Sequence, residues 1–87
     1  MSNVVIYTTT YCPYCHAAKA LLHRKGVKYK EIDVTKDPVK KRRIMEEIGW
    51  ETVPIILINE KLIGGYDQLR GLEREGKLNE ILNPDNT

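Results

Sequence analysis

The chemistry of this chain centres on its two cysteines, which stand three positions apart in a sequence of 87 residues. Cys12 and Cys15 enclose a proline and a tyrosine. Residues three apart on a helix are neighbours, at a separation that a disulfide can span. Such a pair can cycle between dithiol and disulfide, or it can supply half of a metal site.

The placement of the pair favours redox chemistry. Residues 4–8 are all β-branched or aromatic, which predicts a strand, and Pro13 suits the first turn of a helix. Cys12 would then occupy the N-cap, where a thiolate can accept unpartnered backbone N–H groups and gain from the helix dipole. Cys15, further inside the helix, would be more shielded. The sequence thus predicts that Cys12 attacks a target disulfide and that Cys15 resolves the mixed disulfide.

Two other uses of a close cysteine pair fit the sequence less well. A closed zinc site needs further ligands, yet the chain has no second cysteine pair, and His16 and His23 share the predicted helix. The segment from Cys12 to His16 also matches the haem-attachment pattern C-x-x-C-H, which requires an exported chain and leaves the later hairpin unexplained. We therefore expect no metal and no tightly bound cofactor.

The remaining sequence predicts the elements that position the pair. In chain order they are a helix from Pro13 to a stop at Gly26, a strand over 27–34, a helix capped by Thr35 or Asp37 and ended by Gly49, a hairpin of 54–58 and 61–63, and a helical stretch that opens at Asp67 and is interrupted at Gly76. The order β-α-β-α-β-β-α predicts one α/β domain over residues 1–87. We expect a mixed sheet of about four strands flanked by helices, with 83–87 as a frayed tail.

Composition limits the expected partners and location. The net charge of +2 gives no reason to expect nucleic acid. No apolar run approaches the roughly 18 residues of a membrane span, and the start lacks a basic leader. Because one close cysteine pair is not a disulfide framework, we expect a cytoplasmic protein without a membrane partner.

Three motifs together resemble the signature stretches of glutaredoxins. They are Cys12-Pro13-Tyr14-Cys15, Thr52-Val53-Pro54 and Gly64-Gly65-Tyr66-Asp67. The resemblance extends over nearly the whole chain. It implies a thioredoxin fold and a glutathione-dependent thiol–disulfide oxidoreductase, active as a monomer on disulfide-containing or glutathionylated proteins.

The resemblance also implies a binding site for glutathione, the reductant. The residues it assigns to glutathione are Tyr14, Thr52, Val53, Gly65, Tyr66 and Asp67. The Val53 backbone would pair with the cysteinyl segment of glutathione beside a cis bond to Pro54, and Asp67 would face the γ-glutamyl amino group. From the residues alone, Pro54 only begins an edge strand. Gly64 and Gly65 either let a ligand approach the backbone beside the N–H groups of the next helix or form a hairpin exit in which Asp67 caps that helix, and both can hold at once.

The sequence departs from the resemblance at two places. Thr9 and Thr10 stand where many glutaredoxins carry Lys or Arg, and Trp50 and Glu51 stand where many carry Arg or Gln. Since those side chains usually face the glycine carboxylate of glutathione, we expect weaker binding. A basic run consists of Lys36, Lys40, Lys41, Arg42 and Arg43. It is either a solvated face or a surface that steers glutathione or an acidic protein partner.

Two further functions stay open at this point. Residues 33–38 resemble a redoxin that is reduced by thioredoxin reductase and supplies electrons to ribonucleotide reductase. A function of another class is a non-enzymatic iron–sulfur scaffold that uses Cys12 and glutathione. Pro13 and Tyr14 would crowd the cluster of such a scaffold.

Overall fold

A computed structural model describes residues 3–82, so the predicted frayed tail, 83–87, lies outside the described residues. The elements are β1 (Val4–Thr8), α1 (Pro13–Arg24), β2 (Lys30–Asp33), α2 (Pro38–Ile48), β3 (Ile55–Ile58), β4 (Lys61–Gly64), α3 (Tyr66–Arg74) and α4 (Leu78–Leu82). The predicted order is confirmed, and Gly76, in the left-handed region with φ 74°, separates α3 from α4.

The four strands form one mixed sheet in the order β2-β1-β3-β4. β1 runs parallel to β2 across α1, and β3 is antiparallel to both of its neighbours. The predicted α/β fold is therefore confirmed. Because α1 begins just after β1 ends, the segment around Cys12 lies at the carboxyl end of a central strand.

Helices cover both faces of the sheet. Ile6 and Ile58 pack with Leu22 of α1 and Leu69 of α3 in the larger core cluster. Successive strand residues point to opposite faces of the sheet. Tyr7 and Ile55, which are next to core residues of the first face, therefore pack in the second cluster, which contains Ile44 of α2. No helix within residues 3–82 is long and apolar enough to cross a membrane.

The second strand is shorter than predicted. β2 covers only Lys30–Asp33, whereas the sequence predicts a strand over 27–34. Val27 instead completes the end of α1: its N–H donates to the Leu22 carbonyl at 3.1 Å, and Gly26 adopts φ 70°. A helix commonly ends in this way, with a left-handed glycine whose successor bonds back to the last turn.

Two helix starts are decided by side chains that cap them. Asp37, not Thr35, caps α2, because its Oδ1 accepts the Lys40 N–H at 3.0 Å. The prediction that the last helical stretch opens at Asp67 is wrong by one residue, and the prediction that Asp67 caps it is wrong by two. Gly65 is the N-cap of α3, and Gln68 Oε1 accepts the Gly65 N–H at 2.9 Å.

Candidate active site

Cys12 occupies the N-cap of α1, as the sequence predicts. Its backbone is extended, with φ −99° and ψ 111°, and its Sγ accepts the Cys15 N–H at 3.4 Å. The Cys12 thiol also donates to the Val53 carbonyl oxygen at 3.5 Å. The sulfur therefore lies between the first turn of a helix and the segment that carries the second motif.

The two cysteines differ in burial. Both are free thiols; Cys12 retains 8% of its surface and Cys15 retains none. Burial raises the pKa of the Cys15 thiol to about 12. At neutral pH Cys15 is therefore protonated, and Cys12 is the sulfur that a substrate can reach.

A polar network lies close to Cys15 on the first helix. Lys19, one turn after Cys15, forms an ion pair with Glu31 of β2 at 2.9 Å. The same carboxylate oxygen accepts the Thr8 hydroxyl at 2.7 Å. The Lys19 charge lowers the pKa of Cys15, against the larger effect of burial.

A groove of 420 Å³ lies beside Cys12 and joins the three motifs. Its lining residues are Tyr14, Trp50, Thr52, Val53, Pro54, Gly65, Tyr66, Asp67 and Gln68. The structure thus brings together all six residues that the sequence assigns to glutathione. The Val53–Pro54 peptide bond is cis. Below, this cavity is called the Cys12 groove.

Gly64 and Gly65, at the end of the hairpin, allow its backbone to lie close to Gln68 and Pro54, which line the groove. Gly64 has φ 120°, and a Cβ there would lie 2.9 Å from Gln68 Cγ. A Cβ at Gly65 would lie 3.6 Å from the Pro54 carbonyl oxygen. Any side chain at Gly64 would therefore displace Gln68, whose amide caps α3.

Tyrosine rings form one wall of the Cys12 groove. Tyr14 is 60% exposed, and its ring centroid lies 6.3 Å from that of Tyr66 at an interplanar angle of 32°. The tilted contact is within the range of favourable aromatic pairs. It orients the aromatic side chain that the sequence places beside the sulfur.

Sequence reasoning did not assign Trp50 and Gln68 to the site. Gln68 has a usable signal, because a glutamine three residues after a small cap residue is typical of a capping box. Trp50 packs against the smaller core cluster and also lines the Cys12 groove. Its indole Nε1 is buried and has no hydrogen-bond partner among the described residues.

Thr9 does not occupy the place that the resemblance implies for it. It is 2% exposed and lines no part of the Cys12 groove, so its side chain is in the interior instead of facing a ligand. Thr10 is the exposed residue of the pair, and its N–H donates to Thr35 Oγ1 at 2.8 Å. Thr35 in turn donates to Asp33 at 2.6 Å. This chain of bonds fastens the loop before Cys12.

The fold and the dithiol together define a thiol–disulfide oxidoreductase with a thioredoxin fold. Residues 4–63 match the family model described as glutaredoxin. Over 82 residues the chain is 49% identical to a glutaredoxin of Pseudomonas aeruginosa, a match that covers 94% of this chain and 98% of the relative. It is 44% identical to glutaredoxin 3 of Escherichia coli K12, over 94% of this chain and 99% of the relative.

Solved structures agree with these sequence matches. A solution structure of glutaredoxin from Brucella melitensis has a TM-score of 0.83 and 44% identity, covering 98% of this chain and 92% of that one. A crystal structure of a buckwheat glutaredoxin–glutathione complex has a TM-score of 0.88 and 30% identity, covering 95% and 78%. The chain belongs to the glutaredoxin family. It is an enzyme of the thiol–disulfide oxidoreductase class.

Proposed function

We propose that this enzyme uses glutathione to reduce protein disulfides and glutathione mixed disulfides, with Cys12 as the nucleophile and Cys15 as the resolving thiol. The observation that carries the proposal is the Cys12 groove, which is lined by residues of three separate motifs, one of which, Val53, contacts the Cys12 sulfur through its carbonyl. A buckwheat relative of the same fold was crystallised in complex with glutathione.

For a glutathione mixed disulfide the reaction needs only Cys12. Its thiolate attacks the glutathione sulfur, the protein sulfur leaves as a thiolate and takes up a proton, and Cys12 becomes glutathionylated. A second glutathione thiolate then attacks the glutathionyl sulfur. Glutathione disulfide leaves, and the Cys12 thiolate is restored.

For a protein disulfide the reaction also uses Cys15. Cys12 first forms a mixed disulfide with the substrate, and Cys15 then attacks the Cys12 sulfur. The substrate leaves as a dithiol with the proton of Cys15, and a Cys12–Cys15 disulfide remains. Two glutathione molecules reduce it and leave as glutathione disulfide. Burial suits Cys15 to this role, because only the tethered Cys12 sulfur lies within its reach.

The walls of the Cys12 groove suit the cysteinyl and γ-glutamyl parts of glutathione. The Val53 carbonyl already contacts the Cys12 sulfur, so its backbone is positioned to pair with the cysteinyl segment bound there. The first turn of α3 offers N–H groups to the γ-glutamyl carboxylate. Asp67, exposed in that turn, would face the amino group. A glutathione-reduced compartment such as the cytoplasm fits this cycle.

The segment 33–38, which resembles the redoxin, also has a local structural role. Two of its residues, Asp33 and Thr35, hold the loop before Cys12 in place through the contact between Thr35 and Thr10. Their presence is therefore explained by local structure without a second reductase. Nothing in the described residues favours the iron–sulfur scaffold.

The test follows NADPH consumption with a glutathionylated peptide. Turnover is expected with glutathione and glutathione reductase, and none with thioredoxin reductase alone. Cys12→Ser should abolish turnover, whereas Cys15→Ser should retain it for the glutathionylated peptide and lose it for a protein disulfide. Turnover with thioredoxin reductase alone would reject glutathione as the reductant, and a visible chromophore after anaerobic purification would favour the scaffold.

A further inference from the structure

A second groove, of 550 Å³, lies along α2 and is separate from the Cys12 groove. Its lining residues are Pro38, Lys41, Arg42, Met45, Glu46, Gly49 and Glu51. Those from Pro38 to Gly49 recur at three- and four-residue intervals, so they form one stripe of the helix and its C-cap, and Glu51 lies just beyond the helix. We call this cavity the α2 groove.

The α2 groove reaches the active-site loop at two points. Lys41 Nζ donates to the Tyr11 hydroxyl oxygen at 3.5 Å, and Tyr11 directly precedes Cys12. At its other border, Glu51 directly precedes Thr52, which lines the Cys12 groove. A polypeptide joined to Cys12 by a disulfide can therefore leave the sulfur along α2 while glutathione contacts use the other groove.

Beyond its Asp37 cap, the charges within α2 run against the helix dipole. Residues 40–43 are all basic and lie in the first half of the helix, whereas Glu46 and Glu47 lie towards its end; α2 has no acidic residue in its first turn and no basic residue in its last. A helix is stabilised by the opposite arrangement. Arg42 and Glu46 are four apart, but the basic residue comes first, which is the weaker order for a pair.

These basic side chains are also left without acidic partners. The ion pairs among residues 3–82 involve Lys19, Lys25 and Lys77, and none includes Lys41 or Arg42. A local arrangement that costs stability without an evident structural gain points to a functional role. The positive field of this basic run, next to a reactive sulfur, attracts and orients a negatively charged chain.

We propose that the α2 groove docks an acidic polypeptide segment next to the disulfide or glutathionylated cysteine of a protein substrate. This inference rests on the proposed function and specifies its substrate class. Lys41 and Arg42 contact the acidic side chains of the segment, while Met45 and the ring of Tyr11, which is 68% exposed, supply apolar contact. Glu46 and Glu51, at the border next to Thr52, repel acidic residues, so the acidic positions of the substrate lie at the border formed by Lys41, Arg42 and Tyr11.

The test compares two glutathionylated peptides of equal length and composition apart from their flanks. One carries Asp and Glu beside the cysteine, and the other carries Lys at the same positions. The variant Lys41→Glu/Arg42→Glu reverses the groove charge. The matched control, Arg24→Glu/Lys28→Glu, changes the net charge equally at exposed positions, with Arg24 about 18 Å along α1 from Cys12.

The wild-type enzyme should favour the acidic peptide in kcat/KM by about three- to tenfold, and the preference should fall as salt is added. The groove variant should lose or invert the preference, whereas the control should keep it. Equal kcat/KM for both peptides in the wild type, or equal loss of preference in the control variant, would overturn the inference. Glutathionylated cysteine serves as the flankless substrate. If the wild type turns over glutathionylated cysteine but does not distinguish the two peptides, only the docking inference fails. If the wild type turns over neither glutathionylated cysteine nor the peptides, the proposed function fails.

Discussion

At the scale of single residues, Cys15 links the chemistry of the site to the stability of the protein. Its pKa is raised by burial from 9.0 to about 12. A group whose pKa is higher in the folded state contributes stability that is complete below its unfolded pKa and is lost as pH rises through the folded one. For Cys15 that loss falls between about pH 9 and pH 12.

We therefore expect reduced wild-type protein to lose more stability in this range than the Cys15→Ala variant. Urea unfolding at pH 7.5 and at several values above pH 9, with a phosphine reductant present, gives the two free energies of unfolding. The readout is the difference between the proteins, because lysines and tyrosines titrate in both. Parallel curves would show that the Cys15 thiol is not shielded.

The Lys19 charge should matter for the dithiol reaction alone. Because the Lys19 charge favours the Cys15 thiolate, Lys19→Met should slow reduction of a protein disulfide, and only slightly, since this charge has the smallest of the effects on the Cys15 pKa. Removal of glutathione from a mixed disulfide, which does not need Cys15, should be unchanged. Lys25→Met, which breaks the ion pair with Glu73, is the control. An equal effect on both reactions would place the role of Lys19 elsewhere.

At the scale of elements, the unusual charge order of α2 should have a measurable cost. The double variant Lys40→Glu/Glu47→Lys keeps the net charge and avoids the residues that line the α2 groove. Placing an acidic residue in the first turn and a basic one in the last should raise the free energy of unfolding by about 1 kcal/mol.

Urea unfolding at low and high salt checks this expectation. The gain should shrink as salt screens the charges. Lys28→Glu/Glu60→Lys, an equal exchange of charge at exposed positions outside the helices, is the control and should show little of the effect. No gain in the double variant would mean that the charges of α2 are not in conflict with the helix, and one support for the docking inference would be removed.

The same scale shows what the sequence could predict. β1, α1 and the two-residue hairpin turn depend on local signals, namely a β-branched run, a proline in the first turn and the Asn59-Glu60 pair, whose φ angles of 52° and 69° close the hairpin. The start of β2 and the start of α3 depend instead on bonds between particular atoms, such as Val27 N–H to Leu22. The helix and strand propensities of the residues do not predict such hydrogen bonds.

The candidate site likewise has features that the sequence could predict and features that it could not. The three motifs could be joined through their resemblance to a family, and the structure brings them into one groove. The buried position of Thr9 could not be predicted, because it depends on how the loop packs after β1. The double contact of Trp50, with the core and with the groove, has the same origin.

At the scale of the whole molecule, the core and the groove share α3. Leu69 is fully buried in the larger cluster, two residues after Asp67, and lies on the helix whose first turn forms one wall of the Cys12 groove. Leu69→Ala should lower the free energy of unfolding by about 2–5 kcal/mol. In a domain of this size that is a large share of the total, since small proteins are stable by roughly 5–15 kcal/mol.

Leu69→Ala should change substrate binding without changing the reactivity of Cys12. We expect a higher KM for a glutathionylated peptide at a temperature where the variant remains folded, and an unchanged rate of Cys12 alkylation. Val39→Ala is the control, because Val39 is 68% exposed and its loss should change stability by no more than about 0.5 kcal/mol. An unchanged KM in the folded Leu69→Ala variant would show that the groove does not depend on the packing of α3.

The sheet order has a consequence for how the enzyme meets unfolded chains. β2 and β4 are the edge strands, and each presents backbone groups to which a foreign extended segment could add. Three of the four residues of β2 are charged, and β4 is short and has a register shift against β3. Such edges discourage strand addition and aggregation. The sheet is thereby kept from adding strands of other chains, and contact with a substrate is left to the surfaces around Cys12.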